Sequence, residues 1–367
     1  MKFKCNTKEL SAACQNVQKA VSVKSTMPSI EGILIEADSG IVKLTGYDLE
    51  MGITTQMNAV TEKDGKIIIS AKILCEILRK LPGDYVEFES DERQMCQIKS
   101  GYSEFSVVGI SADEFPELPI IDDGKKIDIE CDILKSMIRQ TVFSVAVLDN
   151  KPIYMGIKFE IKENEIKTIG LDGNRMAIRK EKISYSGEDM SFVVPAKTLN
   201  EVVKLGDEQT QIISVIVNRK HIIFKIDNYY IISRLLEGDF LNYNAVIPNG
   251  NITKVQVKTQ EFLQSIERTT IVVNDRLKSP VRCIFADDII KISCINANVR
   301  VFDKIPAQIM GARVEIGFNG KFFLDALKAA DCDEIIIEMN GTLNPIKITP
   351  VEGDSFLFIV LPVRLKN

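Results

Sequence analysis

A single histidine, His221, and eight cysteines without one Cys-x-x-Cys pair leave this 367-residue chain poor in the groups that build metal sites and catalytic dyads. Any Ser-His-Asp or Cys-His arrangement would hinge on His221, which sits between Lys220 and Ile222 in a strand pattern and reads as structural or solvent-facing. Gly-x-Ser-x-Gly, the Walker A loop and Gly-x-Gly-x-x-Gly are all missing. The cysteines (5, 14, 75, 96, 131, 283, 294 and 332) are scattered through apolar patterns, where a thiol behaves as a small hydrophobe, so neither a zinc site nor a disulfide framework is expected. No apolar run approaches the roughly 18 residues that span a membrane. The opening Met1-Lys2-Phe3-Lys4-Cys5-Asn6 lacks the apolar stretch of a signal peptide, so the expected location is the cytoplasm. Asp122-Asp123 and Asp287-Asp288 fall at linker and turn positions, where solvated turns explain them. The expectation is a chain with no enzymatic activity, no cofactor and no metal.

What the chain does have is repetition. Ser70-Ala71-Lys72-Ile73-Leu74 returns as Pro195-Ala196-Lys197-Thr198-Leu199 and as Asn319-Gly320-Lys321-Phe322-Phe323. Ahead of it, Gly46-Tyr47-Asp48-Leu49-Glu50-Met51 returns as Gly170-Leu171-Asp172-Gly173-Asn174-Arg175 and as Cys294-Ile295-Asn296-Ala297-Asn298-Val299. The spacing is about 124 residues, far beyond the 20–50 of a solenoid unit, so the repeated object is a whole domain. Pro-rich joints at Phe115-Pro116-Glu117-Leu118-Pro119 and Ile247-Pro248-Asn249-Gly250 divide the chain into 1–121, 122–248 and 249–367.

Each copy opens with helical spacing: Thr7 (a candidate N-cap) with Leu10, Cys14, Val17 and Val21, then a counterpart near Asp132 and another near Thr259. The lysine phrase opens a second helix over 70–81, 195–205 and 319–329, with Ser70 and Asn319 as candidate N-caps and Pro195 suited to a helix start. Most other segments read as short strands, Ile153 to Ile161 and Phe105 to Val108 among them. Two helices against antiparallel sheet in each copy is an α+β domain.

The net charge of −5 hides a pattern. The six helical windows (7–24, 70–81, 130–147, 195–205, 259–273 and 319–329) hold thirteen Lys/Arg against eight Asp/Glu, and the rest of the chain is acidic. Lysine is a good helix residue on any solvated face. The alternative is a basic surface meeting a polyanion through sequence-independent phosphate attraction.

The residues resemble the bacterial sliding-clamp family, the β subunit of the replicative DNA polymerase III. The likeness spans the full length, from Met1-Lys2-Phe3 and Leu44-Thr45-Gly46-Tyr47-Asp48-Leu49-Glu50-Met51 through Asp113-Glu114-Phe115-Pro116, Asp172-Gly173-Asn174-Arg175-Met176-Ala177 and Glu237-Gly238-Asp239-Phe240 to Glu315-Ile316-Gly317-Phe318-Asn319 and the closing Leu361-Pro362-Val363-Arg364-Leu365. The resemblance implies a head-to-tail homodimer, a closed ring of six similar domains with helices lining a hole around duplex DNA. It implies a processivity factor that is placed by a clamp loader and tethers replicative and repair polymerases through short peptides.

The resemblance also implies site residues. A peptide pocket between the second and third domains would use Lys151, Tyr154, Leu171, Gly173, Asn174, Arg175 and Met176, then Leu241, Val246, Leu277, Asn319, Phe322, Leu343 and Pro345. The tail Val360, Leu361, Pro362, Val363, Arg364 and Leu365 closes it. Asn174, Leu241, Ala245 and Phe322 depart from histidine, proline, arginine and tyrosine in familiar members. DNA contacts would come from Lys24, Lys72, Arg79, Lys80, Lys135, Arg139, Lys197, Lys204 and Lys321, and the dimer joint from Phe105 and Val107 against Ile271 and Val272. The acidic run that supports this joint in some members is reduced here to Asn296-Ala297-Asn298. Two rivals stay open on the residues alone: an enzyme with its site between copies, and a scaffold unrelated to DNA.

Overall fold

The computed structural model describes the chain apart from residues 122, 208, 272–279, 297 and 366–367. The phrase around Asp48 is a turn built three times. Asp48 Oδ1 accepts from the Glu50 and Met51 N–H groups at 3.0 and 2.7 Å. Asp172 Oδ1 does the same for Asn174 and Arg175 at 2.9 and 3.1 Å, and Asn296 Oδ1 for Asn298 and Val299 at 2.9 and 2.8 Å. Asp and Asn recur here because their short side chains cap the backbone two and three residues on. Between cap and strand the chain turns left-handed, at φ +76° for Leu49 and +83° for Gly173; glycine relieves in the second copy what leucine bears in the first.

Six α-helices lie among the described residues: α1 (Thr7–Val17), α2 (Ala71–Leu78), α3 (Cys131–Val142), α4 (Ala196–Leu205), α5 (Thr259–Thr270) and α6 (Gly320–Ala329). Their starts correct the sequence reading in places. Asn6, not Thr7, caps α1, accepting from the Lys8 and Glu9 N–H groups at 2.9 and 3.1 Å. Asn319 caps α6 as expected, whereas Ser70 stands at the N-cap of α2 without a side-chain bond. Pro195 ends the strand Met190–Pro195 instead of opening α4. Pro152 likewise opens a 3₁₀ turn (Pro152–Met155), so the strand expected from Ile153 starts at Gly156. All six helices are shorter than the windows, most clearly α1, which tightens into a 3₁₀ turn after Val17. The observed helices hold nine Lys/Arg and seven Asp/Glu, so most of the basic excess belongs to residues beyond the helix ends, among them Lys19, Lys24, Arg79 and Lys80.

The chain forms two compact bodies, one of Met1–Asp132 with Lys197–Leu235, the other of Ile133–Ala196 with Leu236–Asn367. Every strand pairing between named strands is antiparallel. In the first body, Gly65–Ser70, Gly32–Asp38, Ile41–Tyr47 and Met51–Asn58 continue into Tyr229–Arg234, His221–Ile226, Ile212–Val217 and Lys125–Glu130 of the second copy. The seam places Ile53 opposite Ile231. A second sheet runs Val60–Lys63, Lys2–Asn6, Tyr85–Ser90, Met95–Ser100, Ser103–Val108.

The second body repeats the plan. Met190–Pro195, Gly156–Lys162, Glu165–Leu171 and Arg175–Lys182 continue into Phe356–Val360, Ile346–Pro350, Glu334–Met339, Thr253–Lys258 and Gln308–Gly311 of the third copy, with Ala177 opposite Phe358. Its smaller sheet runs Arg300–Pro306, Ile289–Ile295, Val281–Ala286, Val314–Phe318 and Pro362–Val363. Glycine lets the first helix of a copy end on its sheet: a Cβ at Gly46 would stand 2.5 Å from Val17 O, and one at Gly170 2.5 Å from Thr141 O. A core of Phe262, Phe285, Phe318, Phe323 and Phe358 with aliphatic neighbours fills the third copy.

Seven cysteines are buried and Cys332 is half-buried. Burial pushes the Cys5 and Cys96 thiols up to about 12 and Cys75 to about 11, so these groups stay protonated and inert. No described helix is long and apolar enough to cross a membrane.

Candidate functional site

In the second body, the segment joining the second and third copies lies along the face of the nine-stranded sheet opposite the one that packs on Phe262 and Phe323. Tyr243, at 5% exposure, closes a cluster with Ile169, Leu171, Met176, Ile178 and Ile359, flanked by Tyr154, Phe240, Ile247 and Leu357. The Tyr154 and Phe240 rings meet edge to face at 5.8 Å. On the connector itself Leu241 (43% exposed) and Val246 (45%) face water, and elsewhere in the second body Leu343 (68%) and Leu361 (40%) do so too. Large apolar groups left open together mark a contact surface better than any one of them alone.

The chain end is stitched into this region. The Leu361 N–H donates to Asn174 O at 2.9 Å, and Pro362 and Val363 pair with Phe318 and Gly317. Val363, Arg364 and Leu365 then line a cleft of about 540 Å³ with Leu343, Thr342, Arg282, Glu315, Ile316 and Gly317. Lys151, Gly173 and Asn174 are exposed, and Asn319 and Pro345 are half-buried.

Arg175 does something else. Only 7% exposed, its guanidinium bonds Asp172 Oδ2 at 2.9 Å and Asp325 Oδ2 at 2.6 Å, and it stacks 4.5 Å over the Phe322 ring and 5.5 Å from that of Phe143. It is a strut between the second copy's turn and α6 of the third, with its hydrogen-bonding capacity turned inward. Leu171 and Met176 are buried as well and form the floor, not the rim, whereas Val360 packs in the third copy's core with Phe323 and Phe358. Leu277 and Val272 lie outside the described residues.

Sequence reasoning missed Lys158, Glu160 and Tyr243. Lys158 Nζ lies 2.6 Å from Glu160 Oε1, 5.4 Å from the Phe240 ring and 5.6 Å from that of Tyr243, whose hydroxyl donates to Glu160 Oε2. Burial, then the Glu160 bond and charge, push the Tyr243 hydroxyl up. Burial opposes ionisation of Glu160, but the Lys158 and Tyr243 bonds outweigh it and hold the carboxyl low. Along Gly156–Lys162 these two charges alternate with buried Ile157, Phe159 and Ile161, a pattern that reads simply as a solvated face.

The basic residues divide. Lys24, Lys72, Arg79, Lys80, Arg139 and Lys321 are exposed and form no ion pair among the described residues, and Lys135 is half-buried on α3. Lys197 pairs with Asp48, and Lys204 with Glu201 at 2.8 Å.

The strands Ser103–Val108 and Arg300–Pro306 end their sheets. Their counterparts in other copies are interior: Met51–Asn58 and Arg175–Lys182 match the latter, Tyr229–Arg234 and Phe356–Val360 the former. The interior strands are mostly buried at the seam, while Phe105, Val108 and Phe302 are exposed, as is Ile271 at the end of α5.

Comparison with known proteins agrees along the whole chain. Residues 1–119, 128–242 and 244–364 match the family models of the N-terminal, central and C-terminal domains of the DNA polymerase III beta subunit. The beta sliding clamp of Bacillus subtilis (strain 168) is 33% identical over 377 residues, covering 99% of this chain and 100% of that one. That of Halalkalibacterium halodurans is 32% identical over 363 residues, covering 95% and 96%. The crystal structure of the Bacillus subtilis DNA polymerase sliding clamp superposes with a TM-score of 0.96 at 32% identity over 100% of both chains. The Thermotoga maritima DNA polymerase III beta subunit does so at 0.91 and 25% identity, again over 100% of both.

Proposed function

We propose that this chain, which belongs to the DNA polymerase III beta-subunit family, is a replicative sliding clamp: a non-catalytic processivity factor that encircles duplex DNA and tethers polymerases. The observation that carries the reading is the pair of open strand edges. The joint between copies is made twice within the chain, with Ile53 opposite Ile231 and Ala177 opposite Phe358. A third such joint needs a second chain. Applying the same register to the free edges sets Val301 opposite Phe105 of the second chain, and Val299 opposite Val107. Two chains joined head to tail satisfy both edges and close after two steps, as a heterologous contact must if it is not to run on. The copies 1–121, 122–248 and 249–367 of two chains then become six domains of one ring, with Ile271 beside the joint.

DNA is held loosely, through phosphate contacts from Lys24, Lys72, Arg79, Lys80, Lys135, Arg139 and Lys321. Lys197 and Lys204 contribute after exchanging Asp48 and Glu201 for phosphate. Short peptides of polymerases and of a clamp loader dock against Tyr154, Leu241, Val246, Leu343 and the tail 361–365, with Arg175 and Phe322 fixing the frame. Work on cytoplasmic DNA fits all of these contacts.

The test uses a nicked circular plasmid. The chain should run as a particle of twice its 41.1 kDa mass in light scattering, stay on the circle through gel filtration once loaded, and fall off after linearisation. Equal retention on circle and line would defeat the topological reading.

A further inference from the structure

The Lys158–Glu160–Tyr243 cluster occurs at only one of the two joints inside the chain. At the other joint the positions 124 residues earlier are Leu34 and Glu36, and the segment aligned on Phe115 and Phe240 offers Leu118 where Tyr243 stands. There Glu36 pairs sideways with Lys43 at 3.3 Å and holds nothing of the connecting segment. At the second joint the same carboxylate position reaches across to the connector, while Lys158 packs under two of its aromatic rings. The connector that is tied down is the one bearing Leu241 and Val246, on either side of Tyr243.

A connector carrying exposed apolar side chains loses freedom whenever a ligand fixes it, and a prior constraint lowers that cost. We propose that Lys158, Glu160 and Tyr243 form a latch that holds the connector in its docking shape, so that Leu241 and Val246 stand as preformed walls of the peptide groove. These are positioning residues; none needs to touch the peptide. A hydrogen bond in a half-buried site, strengthened by the carboxylate, adds to the packing of the Tyr243 and Phe240 rings in fixing the segment. The inference rests on the docking reading above and is tested apart from it.

The experiment takes the full chain, a fluorescein-labelled peptide from the cognate replicative polymerase, and hydrogen exchange over residues 240–247. Tyr243→Phe should weaken the peptide about tenfold, the order expected for one lost bond to a charged group, and speed exchange in the connector. Dimer mass and retention on circular DNA should not change. Glu160→Ala should reproduce the defect, and Glu160→Gln, which keeps an acceptor for the tyrosine, should recover most of the affinity. Faster exchange with unchanged peptide affinity would overturn the latch, as would a Gln variant no better than Ala. If the unaltered chain binds no peptide, the docking reading itself fails, and the latch proposal falls with it.

Discussion

Arg175 shows how a residue can belong to a site without facing its ligand. The resemblance places it among peptide contacts, yet both edges of its guanidinium are spent on Asp172 and Asp325, and Phe143 and Phe322 flank its plane. Removing one partner of a buried ion pair leaves the others uncompensated, so Arg175→Ala should destabilise the second body by about 3–5 kcal/mol in urea unfolding. A loss below about 1 kcal/mol with peptide binding abolished would make it a direct contact instead. His221 is legible at the same scale. Burial first, then Arg234 and Lys220, lower its pKa, so the folded state favours the neutral ring and the unfolded chain takes up a proton sooner. Stability should therefore fall as pH drops below about 6.5 and level off below the folded value. Thermal melts of His221→Gln should lack that slope between about pH 5 and pH 8.

Among the elements, the helices and most strands follow from apolar spacing because that spacing decides which face is buried. What spacing does not carry is which strand meets which. Ser103–Val108 and Tyr229–Arg234 are similar in length and place in their hairpins, yet one is interior and the other an edge. The groove was readable only in part: Leu241, Val246 and Leu343 came through the family likeness, while Lys158 and Glu160 looked like ordinary solvent-facing alternation. The joint register gives a sharp test. In a chain carrying Phe105→Cys and Val301→Cys, mild oxidation should yield a covalent dimer, since directly opposed strand residues lie about 5 Å apart. Moving one cysteine to Phe302 should reduce the yield severalfold. Equal yields would rule out the register.

For the whole molecule, the threefold repeat was plain in the sequence, and the two bodies were not. The second copy gives its strands to both, with Lys125–Glu130 in one and Gly156–Lys162 in the other. A repeat period locates copies of a unit; it carries no record of which neighbour completes each sheet. Charge follows the same limit, because apolar spacing runs on past the helix ends and takes in Lys19, Lys24, Arg79 and Lys80, which lie outside the α-helices.

The two open edges make each chain a monomer with complementary end groups, and the dimer a product of cyclisation. The second joint forms between ends already tethered by the first, at an effective concentration far above that of free chains in solution. The ring therefore outlasts dilution that would dissolve either joint alone. It also opens without falling apart, since parting one joint leaves the partner attached. Whatever threads DNA through it has one seam to undo.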